Sequence, residues 1–513
     1  MADTITENTH DPLDISNFSL ENLPKKKSTS SEKWMKYLGF PMGIIAFLLI
    51  YYMPLPEGLT LSGQTVLGLF AMALIWWVTE PFPTYLSSLI IMILLILLDG
   101  WDQKHVFGVL GYDVIWLNIT SFVLSAGLLH SGVAKRVSLF MIKKFGHSDL
   151  GVLASFMFLH LVLAAMIPSP VARVAMLLPL MLMSAAIYGS THENPNTFAK
   201  ILFLQNIHGV NGATSAFLTG ANAHILAVVM ITSMIGEPIY YSDWLFAAFP
   251  VAVVSLTISW YIGPHFFKLK KEERVPQLPG GLKRVDVELQ KLGPMQLKEK
   301  KALFIFSLVI ILWATDRVHL PLFGFEIPAA LAALIGAIVM LLPRIGLIEW
   351  KETNIPWHLL LFSAGAYACG FALTETRAAQ WAVGELFQLM GLHPGISFWW
   401  IYSIIITVNM FSHLFFTSKT MRTLIFIPFV VSLAQHLGHN PLSLALPSAF
   451  TISWVIGLPI SGKPNVLLFG TGQFSSIDCA KYGLTMTFIT TLLFIVAGFT
   501  WFAFLGITPA FWN

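Results

Sequence analysis

Ile167-Pro168-Ser169-Pro170-Val171-Ala172-Arg173 runs on through Val174-Ala175-Met176-Leu177-Leu178 to Pro179, and it has a counterpart far downstream. That counterpart is Thr417-Ser418-Lys419-Thr420-Met421-Arg422, running on to Pro428. Aligned on Ser169 and Ser418, both stretches place an arginine four residues later and a proline ten residues later, and both lie between long apolar runs. An arginine at the centre of a hydrophobic segment opposes insertion into a bilayer by roughly 2.5–3.5 kcal/mol. Two of them at matching places imply an internal repeat with a charged centre.

The surrounding composition fits that reading. Of 513 residues, 56% are hydrophobic and only 11% are charged, with a mean hydropathy of +0.72. Soluble domains carry about 25% charged residues, so the chain reads as an all-α polytopic membrane protein whose surroundings are the lipid bilayer. The net charge of +3 gives no reason to expect a nucleic-acid partner. Cys369 and Cys479 are the only cysteines, and both fall in or beside apolar segments, so no disulfide framework, zinc site or other metal site is expected. No cofactor is expected either. Residues 1–33 are polar and contain Lys25-Lys26-Lys27, and they read as a disordered cytosolic tail ahead of an uncleaved first helix.

Crossing a ~30 Å hydrocarbon core takes about 20 residues. Candidate spans are 36–54, 63–79, 83–99 and 112–131, followed by a basic amphipathic piece with Lys135, Arg136, Lys143 and Lys144. An apolar hairpin, 148–188, has Ser169 near its tip. A glycine-interrupted region covers 198–236 and a further span 243–263. The lysine-rich stretch 265–301 reads as a solvated basic linker separating a first unit, 34–264, from a second, 302–513. The second unit offers spans near 302–316, 326–343 and 356–374, a hairpin at 395–437 around Ser418, an interrupted span at 441–472 and a last helix near 481–506. The positive-inside rule puts both the tail and the linker in the cytoplasm. The Ser169 hairpin then enters and returns from the cytosolic side, the Ser418 hairpin from the opposite side, and the C-terminus lies outside. About 11 transmembrane helices plus two re-entrant hairpins form an inverted repeat, an arrangement in which broken helices build a site near the midplane.

The tips have the chemistry of an anion site. Ser169 followed by Pro170 is a helix-start signature, and Ser418 can cap the matching helix. Free backbone N–H groups and the positive end of each helix dipole would face the protein centre. Arg173, Lys419 and Arg422 lie at helix starts, where the dipole opposes a cation, yet neither tip contains Asp or Glu. A bound anion is the missing partner. Two polar, glycine-rich stretches are expected to be the helix breaks: His208 to Ser215 with Thr219-Gly220-Ala221-Asn222, and Gly457 to Asn465. Gly212 follows Ser169 by 43 residues and Ser461 follows Ser418 by 43. On this spacing Gly212, Thr214, Asn222, Ser461, Gly462, Lys463 and Asn465 join Ser169, Pro170, Val171, Arg173, Ser418, Lys419, Thr420 and Arg422 around one substrate. Four central cations would oppose insertion by roughly 10–14 kcal/mol, which favours a multiply charged ligand over a neutral or monovalent one.

Other motifs have simpler readings. Gly457 to Lys463 fits a phosphate-loop spacing, but Pro464 stands where such a loop needs Ser or Thr, and no soluble strand precedes it. His208, His224 and His413 read as hydrogen-bonded packing residues before they read as ligands. Asn118-Ile119-Thr120 lies inside an apolar span, so its glycosylation sequon is not expected to be used.

From about residue 36 onward, these residues resemble the divalent anion/sodium symporter family of di- and tricarboxylate transporters. In that family each repeat carries a hairpin tipped by Ser-Asn-Thr and then an unwound helix, and the tips hold substrate carboxylates and help build sodium sites. The resemblance implies a homodimer with an elevator-type scaffold and transport domain. Here Ser169, Ser418 and Thr420 match the tip pattern, whereas Pro170, Val171 and Lys419 depart from it. The departures remove oxygen ligands that a hard cation needs. Arg173 and Arg422 resemble the basic residues four positions past the tip serine in the family's sodium-independent branch of 2-oxoglutarate/malate and citrate/succinate antiporters. The implied function is therefore secondary transport rather than enzymatic catalysis, specifically exchange of di- or tricarboxylate-type anions across a bacterial inner membrane. Competing expectations are a sodium- or proton-coupled symporter, including one for a sulfonated or sulfated acid, and more distantly an anion channel.

Overall fold

The structure is a computed structural model that describes residues 30–510, apart from 192–193, 278–280, 391–394 and 417. Twenty helices of seven residues or more follow one another among the described residues, with no strand. The first repeat begins, after α1 (Ser30–Tyr51), with α2 (Leu61–Thr79), α3 (Thr84–Leu97) and α4 (Asp113–Ser131). An amphipathic arm, α5 (Val133–Phe145), leads to the hairpin α6 (Asp149–Met166) and α7 (Pro170–Ile187). The broken pair α8 (Thr197–Ser215) and α9 (Asn222–Ile235) and the long α10 (Tyr241–Phe266) complete it.

After α11 (Gly281–Lys291) the same order recurs. It comprises α12 (Leu297–Ala314), α13 (Ala329–Leu341), α14 (Trp357–Glu375), the arm α15 (Ala378–Met390) and the hairpin α16 (Phe398–Phe411) and α17 (Lys419–Leu437). The broken pair α18 (Pro441–Thr451) and α19 (Lys463–Phe469) and then α20 (Ser476–Ala497) end the second unit. Among the described residues, eight helices are long and apolar enough to cross a membrane, or nine if the bent pair Leu297–Ala314 and Asp316–Phe323 counts as one. Several expected spans are shorter than predicted: α3 has 14 residues and α13 has 13.

Packing follows the repeat. Helix α3 lies on α14 and α4 on α13, and exchanging the two halves converts one pair into the other. The same exchange relates α7 on α19 to α17 on α9, so each hairpin packs against the second half of the other repeat's broken helix. Lipid is as apolar as a leucine side chain, so such helices associate through close packing and interhelical hydrogen bonds rather than hydrophobic burial. The scaffold pairs show both. Gly365 on α14 leaves no room for a β-carbon beside Ser88 of α3, and Gly127 on α4 leaves none beside Met340 of α13. Ser88 Oγ accepts from Trp77 Nε1 (3.1 Å) and donates to the Phe362 carbonyl (3.2 Å), tying α2, α3 and α14 together.

The expected solvated linker is more ordered than its charge suggested. Within it, α11 lies on the arm α5, with Lys135 paired to Glu288 and Lys143 to Asp286. Arg136 binds both oxygens of Glu299 (2.7 and 3.0 Å) and the Gly293 carbonyl (2.8 Å). The basic face of α5 thus finds its partners on the linker, which the local charge pattern of either segment alone could not show. Of the expected disordered tail, residues 1–29 lie outside the described residues, and α1 begins at Ser30.

Candidate functional site

Both tips form as capped helix starts. Ser169 is extended (φ −92°, ψ 109°) and its hydroxyl accepts from the Ala172 N–H (3.3 Å), with Pro170 in the first turn. Ser418 has nearly the same backbone (φ −94°, ψ 118°) and accepts from the Met421 N–H (3.4 Å). The first turns also carry Val171 and Thr420, which are half-buried like the serines and Pro170.

One turn beyond each cap, Arg173 and Arg422 are fully buried. Lys419, half-buried at the start of α17, lies within electrostatic reach of both. The three cations therefore share one region. No salt bridge to any of them occurs among the described residues, and their recorded partners are neutral. Arg173 Nη2 donates to Thr214 Oγ1 (2.5 Å). Lys419 Nζ donates to Asn211 Oδ1 (3.1 Å). Arg422 donates to Ser412 Oγ (2.8 Å), the Ile452 carbonyl (2.8 Å), Asn409 Oδ1 (3.2 Å) and the Asn409 carbonyl.

The second helix break falls where the spacing put it, around Ser461, but the first does not fall at Gly212. His208 to Ser215 is continuous helix inside α8, and Gly212 is a contact point rather than a break: a β-carbon there would stand 2.8 Å from the Trp454 ring. The polar residues of this stretch stay helical while bonding to other helices: His208 Nε2 meets Ser255 Oγ (3.1 Å) and Ser215 Oγ donates to the Phe450 carbonyl (2.5 Å). The first break falls at Ala216 to Ala221, which includes the single turn Leu218–Gly220, and Asn222 opens α9, half-buried. The second contains the turn Pro459–Ser461 and an extended Gly462 (φ −161°, ψ 149°) before α19. The residue just before each restart is thus 52 positions after Ser169 in one half and 44 after Ser418 in the other.

Among the second-break residues, Ser461, Gly462 and Asn465 are buried, and the Ser461 hydroxyl has no partner among the described residues. Asn465 Nδ2 donates to the Val455 carbonyl (2.7 Å). Lys463 differs from the other cations. It stands exposed at the first position of α19, so the expected four-cation cluster is a buried or half-buried trio with one exposed lysine.

Asn211 is the residue that sequence reasoning passed over. Its Oδ1 accepts from Lys419, and its Nδ2 donates to Asn465 Oδ1 (3.0 Å) and the Ile207 carbonyl (2.9 Å). It thereby links the second tip to the first repeat's α8 and the second repeat's α19. His413 is a hydrogen-bonded packing residue: Nδ1 donates to the Met410 carbonyl (2.5 Å), leaving Nε2 to accept from the Gly457 N–H (3.0 Å). A second proton would break the Gly457 bond, so this imidazole is neutral. His224 is likewise buried, between the Phe217 carbonyl (3.0 Å) and Ser453 Oγ (2.5 Å).

Comparison with known proteins gives the family and the fold. Residues 31–508 match the family described as the sodium:sulfate symporter transmembrane region. A "sodium-dependent dicarboxylate transporter SdcS" of Staphylococcus saprophyticus is 26% identical over 488 residues, covering 92% of each chain. A Cupriavidus necator protein described only as "membrane protein" is 27% identical over 495 residues, covering 91% of this chain and 93% of its own. Among solved structures, the YdaH transporter of Alcanivorax borkumensis (TM-score 0.53, 11% identity, 92% of this chain and 98% of its own) shares the fold. So does MtrF of Neisseria gonorrhoeae (TM-score 0.56, 13% identity, 94% and 96%). With most of its length matched, the chain belongs to the sodium:sulfate symporter transmembrane family, the divalent anion/sodium symporters, and is a multi-pass membrane transporter rather than an enzyme.

Proposed function

We propose that the protein exchanges di- or tricarboxylate-type anions without sodium, using fixed side-chain charge where sodium-coupled carriers use the metal. One observation carries this reading. Three cations gather between two capped helix starts, and none has an acidic partner among the described residues. Burying a cation without a counter-charge costs several kcal/mol, and a dianion placed between the tips would offset that cost. The substrate-binding set is then Ser169, Pro170, Val171, Arg173, Ser418, Lys419 and Thr420 from the tips, with Thr214, Asn222, Ser461, Gly462 and Asn465 around them, while Arg422, whose guanidinium is engaged by Ser412, Asn409 and the Ile452 carbonyl, contributes its charge without contact. Gly212 and Lys463 drop to supporting roles, one a packing contact and the other exposed. On this reading the hairpins re-enter from opposite faces of a bacterial cell membrane, with the N-terminus inside and the C-terminus outside. Each transport domain moves as an elevator within a homodimer.

A second reading has its own support. The staphylococcal relatives are named as sodium-dependent dicarboxylate transporters, and the family description names sodium and sulfate. Both favour sodium-coupled symport, with a sulfated or sulfonated substrate within range. Counterflow separates the two. Purified protein in liposomes preloaded with succinate, malate or citrate should take up the labelled anion at the same rate with and without sodium, and only when an exchangeable anion is inside. Uptake that requires a sodium gradient and proceeds into empty liposomes would establish symport instead.

A further inference from the structure

The two tip arginines occupy matching positions, yet their surroundings differ. All three guanidinium nitrogens of Arg422 are hydrogen-bonded. Its Nε donates to Ser412 Oγ, its Nη1 to the Ile452 carbonyl and its Nη2 to the Asn409 carbonyl and side chain. The acceptors are themselves anchored: Asn409 Nδ2 donates to the Ser448 carbonyl (2.8 Å) and Thr451 Oγ1 (2.9 Å), and Ser412 Oγ donates to the Asn409 carbonyl (2.7 Å). Arg422 thus clamps the first arm of its hairpin to the second arm and to the end of α18. Arg173 is equally buried but has one partner, Thr214, and its Nε and Nη1 have none among the described residues.

The repeat itself shows why. Asn409 lies nine residues before Ser418, and Ser412 lies six before it. Counting back equally from Ser169 gives His160 and Leu163. Leu163 has no acceptor to offer. His160 is turned to α8, where its Nε2 meets Asn206 Oδ1 (2.8 Å). Asn206 Nδ2 is engaged by the Leu202 carbonyl (2.7 Å), so His160 Nε2 is the donor and its Nδ1 a buried acceptor without a partner. The first repeat thus lacks the oxygen cage that the second repeat builds around its arginine.

We infer that the two arginines do different jobs. Arg173 grips an oxyanion group of the substrate, and Arg422 is a structural clamp that holds the second hairpin in shape. His160 and Leu163 are the positions that keep Arg173 free, and Lys419, held by Asn211, supplies the charge from the opposite tip. The inference rests on the anion-binding reading above and makes it asymmetric: one carboxylate, sulfate or sulfonate end of the ligand belongs at the first tip.

Three variants test it through two readouts, thermal unfolding in detergent and the apparent affinity for succinate or citrate in counterflow. Arg422→Gln should lower Tm and leave apparent affinity within about threefold of the parent. Arg173→Gln should leave Tm unchanged or raised, because no cage is lost, and weaken apparent affinity about tenfold to hundredfold, as loss of a charge-assisted hydrogen bond predicts. The double change His160→Asn with Leu163→Ser should recage Arg173 and weaken affinity in the same direction. If the double variant does not fold, the two single variants still decide the matter. Equal Tm losses in Arg173→Gln and Arg422→Gln would overturn the division of labour. So would an Arg422→Gln protein of parental Tm whose affinity falls as far as that of Arg173→Gln. If the parent exchanges no carboxylate, the exchange reading fails. The division of labour is then judged by Tm and by the Tm shift on adding citrate or sulfate, which Arg173→Gln should abolish and Arg422→Gln retain.

Discussion

Neutralising Lys419 should leave stability nearly unchanged and impair transport. Lys419→Met keeps the length and apolar stem of the side chain and removes one positive charge. In the parent that charge lies within electrostatic reach of two buried guanidinium groups, and its recorded hydrogen bond, at 3.1 Å, is to the neutral amide of Asn211. At an effective dielectric near 20, a like-charge pair roughly 10 Å apart opposes folding by about 2 kcal/mol. Lys419 is half-buried, so screening reduces this, and relief of about 1–3 kcal/mol in total is a fair expectation. Against it stands the lost bond to Asn211, which contributes about 1.5–3 kcal/mol when the donor is charged. The two nearly cancel, so the empty protein should stay within about 2 kcal/mol of the parent in stability. Transport should suffer, because a substrate carboxylate loses a charged donor of the same strength, about 10- to 150-fold in apparent affinity. The assays are thermal unfolding with and without citrate, and counterflow at graded substrate concentration. Citrate at a hundred times its Kd should stabilise the parent by about 2.7 kcal/mol and the variant far less. A variant that loses stability and keeps its affinity would refute the reasoning, because Lys419 would then be holding the fold together and not the anion.

Other changes give independent readings. Lys419→Asn restores an amide at the second tip, as in the resembled family; if fixed charge stands in for metal, this variant should acquire sodium-stimulated uptake that the parent lacks, measured by titrating sodium against lithium and potassium. Gly212→Ala places a β-carbon 2.8 Å from the Trp454 ring and should destabilise by about 1–3 kcal/mol, visible as a lower Tm. Glu299→Gln leaves Arg136 without its carboxylate. With Arg136 15% and Glu299 4% exposed, the loss should approach the lower end of the 3–5 kcal/mol typical of broken buried pairs, read as earlier unfolding and faster proteolysis of the linker.

The features legible in the sequence were the local ones. A serine cap needs only its own next three residues, so both tips could be read from Ser169-Pro170 and Ser418-Lys419. The repeat was legible because the arginine and proline spacings after each serine are identical. The first break was not, because a polar helix inside a protein is decided by distant partners, whereas the second fell within Gly457 to Asn465 as its proline and glycines indicated. Asn211, His208 and Asn206 look like loop residues until Asn465, Ser255 and His160 are seen to meet them. The different roles of Arg173 and Arg422 were hidden for the same reason, since their partners lie 10 to 41 residues away. The contrast between Leu163 and Ser412 was available in the sequence, but only to a reader who knew that the position faces an arginine.

The charge count also bears on how exchange would be enforced. Arg173, Lys419 and Arg422 give the unloaded tips three positive charges, and no acidic side chain pairs with them among the described residues. Moving one elementary charge through the full membrane potential costs or yields about 2.3 kcal/mol per 100 mV. If the tips travel across most of the field, the empty carrier meets an electrical term of about 7 kcal/mol per 100 mV in one direction, and a carrier holding a dianion meets about 2 kcal/mol. With the interior negative, the outward return of the empty carrier is the step most strongly opposed, so net uptake is penalised relative to exchange. A specific expectation follows for liposomes clamped with potassium and valinomycin. Succinate-for-succinate exchange has no net charge movement, so its extent at equilibrium should not change with potential. Succinate-for-citrate exchange, at a pH where citrate is trivalent, should shift by about tenfold per 60 mV in the ratio reached, because one charge crosses per cycle. A succinate homoexchange whose final distribution follows the potential would show that a further ion crosses with the anion, and fixed charge would then not be the coupling device.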